Sequence, residues 1–187
     1  MTGVTAESTP TEIAAIVSDA LQDAGIAATL SGGGAVSVYT DNEYESKDLD
    51  FVTAAMQDSI APVMQKLGFV TAGEGGSSAY DHPAVEWYVE FVSGPLSFGE
   101  KYVSHEDCAV IDVGIGKIRI ITPTQSVMDR LAAAIHWKDP QSRDQAVRVA
   151  ANQDIDWQEL EEWFGNEGEP ESEFARFRRT VERARQR

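Results

Sequence analysis

The chain has 187 residues, 42% of them hydrophobic, which suffices to bury one core with a helical appendage. Its 31 acidic residues outnumber 15 basic ones, and the net charge of −16 disfavours nucleic-acid binding outside a local basic patch. No run of 18 apolar residues offers a transmembrane helix, and the N-terminus lacks the pattern of a secretory signal. The single cysteine, Cys108, excludes an internal disulfide framework and a cysteine-cluster zinc site. We therefore expect a cytoplasmic protein that does not bind membranes.

The first half of the chain alternates between helical and extended patterns. Thr9 to Glu12 fit a capping box with Pro10 at the first helical position, and apolar residues at spacings of three and four predict a helix that ends at Gly25. The elements predicted after it are a strand at 27–31, a short helix at 35–39, a polar loop at 40–47, a strand at 49–52, a helix at 59–67, a short strand at 69–71 and a loop at 73–81.

The second half passes from strands to helices. By composition, VEWYVEFV at 85–92 is the strongest strand, and strands at 109–113 and 117–121 flank a Gly-Ile-Gly hairpin turn. After Thr122 the pattern predicts helices at 123–137, 142–151 and 156–164 and a basic terminal helix. These elements predict an α+β fold, a mixed sheet flanked by helices with a helical C-terminal part. The predicted divisions are a core at 1–122, a helical part at 123–164, and an acidic linker with the basic helix at 165–187.

One stretch, SGGGAVSVYTDNEYESKDLD at 31–50, predicts a site. Asp48 and Asp50 are two residues apart at a strand start, so both carboxylates lie on one face, an arrangement that suits a divalent cation such as Mg²⁺. The glycines at 32–34 let the backbone approach a triphosphate, and the following helix directs its N–H groups at it. Together they provide the anion cradle and the metal clamp that in-line transfer of a phosphate-bearing group needs. The alternative is an acidic α+β domain in which Asp-Leu-Asp is a surface turn.

The same stretch resembles the signature of the nucleotidyltransferase superfold. More narrowly, it is similar to small prokaryotic nucleotidyltransferases related to those of abortive-infection and toxin–antitoxin pairs. Gly33-Gly34-Ala35 and Ser46-Lys47-Asp48-Leu49-Asp50 occupy the places of the family motifs. A second segment, ITPTQSVMDRLAAAIHWKDPQSRDQA, is similar to the helix that follows the last strand in these relatives. The resemblance covers roughly residues 27 to 150.

The resemblance implies roles for individual residues. Asp48 and Asp50 would hold Mg²⁺ and act in catalysis together with a third carboxylate, which would also serve as the general base. Glu90 is our candidate for that third carboxylate, and Asp112 is the competitor. The implied nucleotide-binding residues are Ser31, Gly32, Gly33, Gly34 and Ser46, with the register of the working glycine pair left open by three glycines in a row.

One basic residue is a further candidate. Arg130, on the helix predicted after Pro123, is a candidate phosphate ligand, with a surface ion pair to Asp129 or Asp139 as the alternative.

The function implied is Mg²⁺-dependent transfer of a nucleotidyl group from a nucleoside triphosphate to an acceptor hydroxyl. The acceptor would be a protein, such as a cognate small helical protein, a tRNA or a small molecule, within a toxin–antitoxin or defence system. The net charge of −16 weighs against tRNA. The alternative function is a non-catalytic, antitoxin-like protein-binding module that retains the fold.

Overall fold

The computed structural model of the chain describes residues 3–73 and 78–186 and has the mixed α+β fold that the sequence predicts. In these residues the helices are α1 (Pro10–Asp23), α2 (Gly32–Tyr39), α3 (Gln57–Lys66), α4 (Pro123–His136), α5 (Pro140–Asn152), α6 (Trp157–Asn166) and α7 (Glu171–Ala184). The strands are β1 (Ala28–Ser31), β2 (Asp48–Thr53), β3 (Val70–Thr71), β4 (Ala79–Asp81), β5 (Tyr88–Ser93), β6 (Leu96–Phe98), β7 (Lys101–Val103), β8 (Ala109–Asp112) and β9 (Lys117–Ile120).

The chain divides into two compact units. The first contains the described residues up to Leu96 together with Val103–Ile121, and the second contains Ser97–Tyr102 with the described residues from Thr122 onwards. Within the described residues, no helix combines the length and the apolar character needed to cross a membrane.

A seven-stranded mixed sheet forms the centre of the first unit, in the order β3-β4-β5-β2-β1-β9-β8. The central pairs β2–β5 and β1–β9 are parallel, whereas β1–β2 and the hairpin β8–β9 are antiparallel. Helices α1 and α2 pack against strands β1, β2 and β9. One face of the sheet is a fully or almost fully buried apolar layer, to which the strands contribute Leu30, Leu49, Phe51, Tyr80, Val89, Phe91, Ile118 and Ile120. The alternating residues of the same strands therefore make up the opposite face.

Helices α1 and α2 begin where the local sequence favours a helix, but α2 differs from its prediction. The capping box of α1 is present, because the Thr9 side chain accepts the Glu12 N–H and the Glu12 carboxylate accepts the Thr9 N–H at 2.8 Å. Helix α2 begins at Gly32, three residues earlier than predicted, so the glycines form its first turn. The cause is that Gly32 adopts a φ of +62°, which turns the chain directly from β1 into the helix.

Two further segments of the first unit differ from their predicted structure. The loop predicted at 73–81 contains strand β4, which pairs with β5, while residues 74–77 lie outside the described part of the chain. The strand predicted at 85–92 begins only at Tyr88. A three-residue strand is too short to show alternation, and β4 is held by pairing rather than by pattern.

The second unit is helical and has its own aromatic core. Helix α4 opens with a second capping box, Thr122 with Gln125. Trp157 and Phe164 of α6 contact Phe174 and Phe177 of α7, with ring centroids 5.5–6.4 Å apart. Helix α7 begins at Glu171, inside the segment predicted as an acidic linker.

Candidate active site

Strand register brings the three predicted carboxylates to one face of the sheet. In the parallel pair β2–β5, Asp50 lies opposite Glu90 and Asp48 lies opposite Tyr88. In the antiparallel pair β1–β2, Ser31 lies opposite Asp50. Directly paired residues and residues two apart point the same way, so Asp48, Asp50 and Glu90 share the face opposite the apolar layer. These three residues, which lie up to 42 positions apart in sequence, therefore become neighbours.

The polar face has two rows across the strands. One row runs Glu90–Asp50–Ser31, and the other runs Asp81–Tyr88–Asp48. The second row contains two residues that sequence reasoning did not assign to the site. In VEWYVEFV, Tyr88 is two residues before Glu90 and therefore shares its face, whereas Asp81 lies in a segment predicted as a loop, so no sequence pattern indicates that it joins the row.

The electrostatics of the two rows are dominated by carboxylates. Burial raises the pKa of Tyr88 above its ordinary value, and the negative charges of Asp48, Glu90, Asp50 and Asp81 raise it further. Four carboxylates therefore act on one phenol, which marks this part of the face as a region of negative potential. Such a region favours the binding of cations.

The three glycines differ in what lies beside them. A Cβ on Gly32 would lie 2.5 Å from Asp50 Oδ2, and a Cβ on Gly33 would collide with Ser46 Oγ. A Cβ on Gly34 would instead lie 3.0 Å from Leu30 Cδ1, in the apolar layer. Gly32 and Gly33 thus allow the backbone to approach the site side chains, whereas Gly34 allows close packing of α2 on the sheet.

The two predicted serines are directed at strand β2. Ser46 Oγ donates to Asp48 Oδ1 at 2.5 Å, and Ser31 Oγ donates to the Asp50 carbonyl oxygen at 3.5 Å. Ser46 is 5% exposed. These hydroxyls therefore orient the aspartate-bearing strand, and their contact with a nucleotide stays a prediction.

The donor set fits a magnesium ion bound together with a nucleotide. Across residues 3–73 and 78–186, no group of three His, Cys, Asp or Glu side chains is gathered closely enough to hold a metal ion alone. Mg²⁺ commonly binds proteins through one or two carboxylates, with waters and substrate phosphates as the remaining ligands. Asp48 and Asp50 supply two oxygen ligands of this kind on one face. The residues present fit the ion, and its binding stays a prediction.

The two candidates for the third carboxylate lie in different places. Glu90 is the direct neighbour of Asp50, and Ser78 Oγ donates to its Oε1 at 3.4 Å. Asp112 is on β8, three strands from β2, a separation of about 14 Å across the sheet. Its Oδ1 accepts the Gly114 N–H at 2.8 Å, which closes the hairpin turn. This geometry favours Glu90 as the partner of Asp50.

Arg130 belongs to the second unit, on α4. Its Nε and Nη2 donate to Asp129 Oδ2 at 3.1 and 2.9 Å, and its Nη1 donates to Gln145 at 3.4 Å. The guanidinium is therefore in the ion pair that the sequence offered as the alternative. A role for Arg130 in nucleotide binding stays a prediction.

Comparison with known proteins supports the fold. No protein-family model matches the chain, and no curated protein matches its sequence. The solution structure of the antibiotic-resistance factor ANT(2'')-Ia is similar to it with a TM-score of 0.53 and 11% identity, covering 88% of this chain and 92% of that one. The crystal structure of ANT(2'')-Ia in complex with adenylyl-2''-tobramycin has a TM-score of 0.51 and 12% identity, with coverage of 95% and 98%. ANT(2'')-Ia is a nucleotidyltransferase, so the chain has a nucleotidyltransferase fold.

Proposed function

We propose that the chain is a Mg²⁺-dependent nucleotidyltransferase that transfers a nucleotidyl group from a nucleoside triphosphate to an acceptor hydroxyl. The observation that best supports the proposal is the contact between the glycine turn and the aspartates. The backbone of Gly32 passes so close to Asp50 that a Cβ at this position would lie 2.5 Å from Asp50 Oδ2 and would displace the carboxylate. An anion-binding turn and a cation-binding carboxylate are thereby parts of one site.

The residues of the site divide the chemistry among them. The N–H groups in the first turn of α2 bind the triphosphate, while Asp48 and Asp50 hold Mg²⁺, which when bound neutralises phosphate charge. Glu90 removes the proton from the acceptor hydroxyl. The acceptor oxygen then forms a bond to the α-phosphorus as the bond from that phosphorus to the bridging oxygen breaks, and pyrophosphate leaves.

We infer that the acceptor hydroxyl belongs to a protein or a small molecule rather than to a tRNA. The chain carries a net charge of −16, and four carboxylates surround Tyr88 beside the site, which opposes the approach of a polyanion. The complex of ANT(2'')-Ia holds an adenylylated tobramycin, which supports a small-molecule acceptor. The resemblance of residues 31–50 to toxin–antitoxin nucleotidyltransferases supports a cognate small helical protein instead.

Calorimetric titration of ATP, CTP, GTP and UTP with Mg²⁺ tests the proposal. We expect the wild type to bind at least one of them only when Mg²⁺ is present. The Asp48→Asn/Asp50→Asn variant should lose more than about 100-fold in affinity, because that is the upper range for groups that only support metal ligands. Asp19→Asn/Asp112→Asn is the matched control, since it removes the same charge away from the glycine turn.

Two outcomes would count against the proposed enzymatic function or its assignment to Asp48 and Asp50. A folded wild type that binds no nucleotide would favour the non-catalytic, antitoxin-like module. If the control variant lost as much nucleotide affinity, the loss in Asp48→Asn/Asp50→Asn would be explained by the change in net charge and not by the removal of metal ligands.

A further inference from the structure

Ser37 is a buried hydroxyl that connects two parts of the site. It lies on α2, one turn after Gly33, and its exposed fraction is 0%. Its Oγ donates to the Gly33 carbonyl oxygen at 3.2 Å and accepts the Ser46 N–H at 2.9 Å. Serine in a helix often bonds only to the carbonyl one turn back. Here the same hydroxyl also holds a residue outside the helix.

The segment that Ser37 holds leads directly to Asp48. Besides the bond from Ser46, the Ser37 carbonyl accepts the Asn42 N–H at 2.8 Å, so Ser37 fixes the loop at 40–47 near both of its ends. From Ser46, the hydroxyl donates to Asp48 Oδ1 at 2.5 Å. Ser46 Oγ also lies against the Cα of Gly33, where a Cβ would collide with it. Gly33, Ser37 and Ser46 therefore contact one another in a ring, in which each residue touches the other two.

We propose that Ser37 is a positioning residue for nucleotidyl transfer, which sets the Asp48 carboxylate in register with the glycine turn. The inference rests on the proposed function, because that function assigns Asp48 to the metal ion and the glycines to the triphosphate. The bond from Ser46 engages Oδ1 of Asp48, so Oδ2 would be the oxygen that binds the cation. Without the Ser37 hydroxyl, the buried Ser46 N–H loses its partner, and the loop must shift to satisfy it. Asp48 then loses its fixed orientation.

The test compares Ser37→Ala with Ser18→Ala. Ser18 on α1 is 4% exposed, and its Oγ accepts the Arg119 N–H at 2.9 Å. Each variant removes a buried helix hydroxyl that accepts one backbone N–H, so their thermal stabilities should fall by similar amounts. We expect only Ser37→Ala to weaken Mn²⁺ binding in the presence of ATP, by about 10- to 100-fold as measured by electron paramagnetic resonance. Ser37→Cys, which keeps the volume and a weak donor, should bind with intermediate affinity and replaces the alanine variant should that variant not fold.

A double-mutant cycle separates positioning from general damage. Because Ser37 acts on Asp48 through Ser46, Ser37→Ala/Ser46→Ala should bind Mn²⁺ no more weakly than Ser46→Ala alone. Additive losses would overturn the path through Ser46. A folded Ser37→Ala variant with wild-type affinity, or with no greater loss than Ser18→Ala, would overturn the positioning role and leave the proposed function intact. A wild type that binds no Mn²⁺ with any of ATP, CTP, GTP and UTP would overturn both.

Discussion

The two ends of one sheet face differ in charge and in how their polar groups are satisfied. At the end that contains Ser31, the face carries Asp48, Asp50 and Glu90. Two residues earlier on β1, the hydroxyl of Thr29 lies 2.6 Å from His105 Nδ1. Beside it on β9, Arg119 Nη1 donates to the His105 carbonyl oxygen at 3.0 Å. Thr29 and Ser31 have the same orientation on one strand, so the difference arises from their neighbours rather than from the strand.

The first end has a surplus of negative charge, and the second is closed by its own contacts. Within the part of the chain that the structure describes, neither Asp48 nor Glu90 forms an ion pair. Burial lowers the pKa of His105, and the nearby Arg119 lowers it further, so a neutral imidazole is favoured. The carboxylate end therefore has the negative charge that the proposed cation site requires, whereas the histidine end joins the 3₁₀ turn at His105–Asp107 to the sheet. Changes at the first end should alter ligand binding and turnover, and changes at the second should alter stability.

The largest effect is expected at Glu90. Because Glu90 is the proposed general base, the substitution Glu90→Gln should lower kcat by about 10²- to 10⁴-fold and leave nucleotide affinity nearly unchanged. The measurement is pyrophosphate release with an acceptor that the wild type modifies. Asp112→Asn is the control, because Asp112 lies at the sheet edge and its carboxylate closes the hairpin turn. A loss of turnover in Asp112→Asn with none in Glu90→Gln would reverse the assignment of the third carboxylate.

A smaller effect is expected at the glycine turn, where Gly32→Ala and Gly25→Ala form a matched pair. Both glycines have positive φ, +62° and +73°, so each alanine should destabilise the fold by about 1–2 kcal/mol. Only at Gly32 does the new Cβ meet a side chain, 2.5 Å from Asp50 Oδ2, whereas nothing lies within 4 Å at Gly25. Gly32→Ala should therefore also lose at least about 10-fold in Mg²⁺–nucleotide affinity.

Urea unfolding and calorimetry measure the two quantities for this pair. Equal Mg²⁺–nucleotide affinities of Gly25→Ala and Gly32→Ala would show that the close approach of Gly32 to Asp50 has no part in binding. The carboxylate end would then include Asp50 but not the glycine turn.

The sequence predicts that Asp48 and Asp50 share a face beside the glycine run, because this part of the carboxylate end is local. The spacing of two between Asp48 and Asp50 fixes their common face, and the glycine run borders the same strand. The fold class follows from the order of helical and extended patterns, and the capping box of α1 locates the start of that helix. Such features depend on residues a few positions apart, which a single sequence displays directly.

What the sequence does not predict depends on pairing and loop closure. Asp81 enters the site only because the three residues of β4 pair with β5, and no periodic pattern marks so short a strand. Ser37 shows no signal of its role, since its importance arises when the loop at 40–47 folds back to place the Ser46 N–H on its hydroxyl. In the same way, His105 and Thr29 are 76 residues apart, and only the packing of the 3₁₀ turn joins them.

The smallest effect is expected at the histidine end, and it should depend on pH. Because the pKa of His105 is lowered from its ordinary value of 6.5, the unfolded chain binds the proton more tightly than the folded chain. The stability gained from the neutral histidine is then complete above pH 6.5 and is lost as pH falls through the lower, folded-state pKa. The free energy of unfolding from urea titrations should decrease as pH falls below 6.5, by at most about 1.4 kcal/mol per pH unit.

The variant His105→Gln should flatten this pH dependence, while His82→Gln should keep it, because the contact between Thr29 and His105 is retained in that variant. At pH 7.5 the His105→Gln variant should bind Mg²⁺ and nucleotide as the wild type does. Because Thr29 is only two residues from Ser31, this is the strictest test of the separation between the two ends. If affinity fell together with stability, the histidine contacts would have to position Ser31 and Asp50 as well, and the face would function as one connected network rather than as two independent ends.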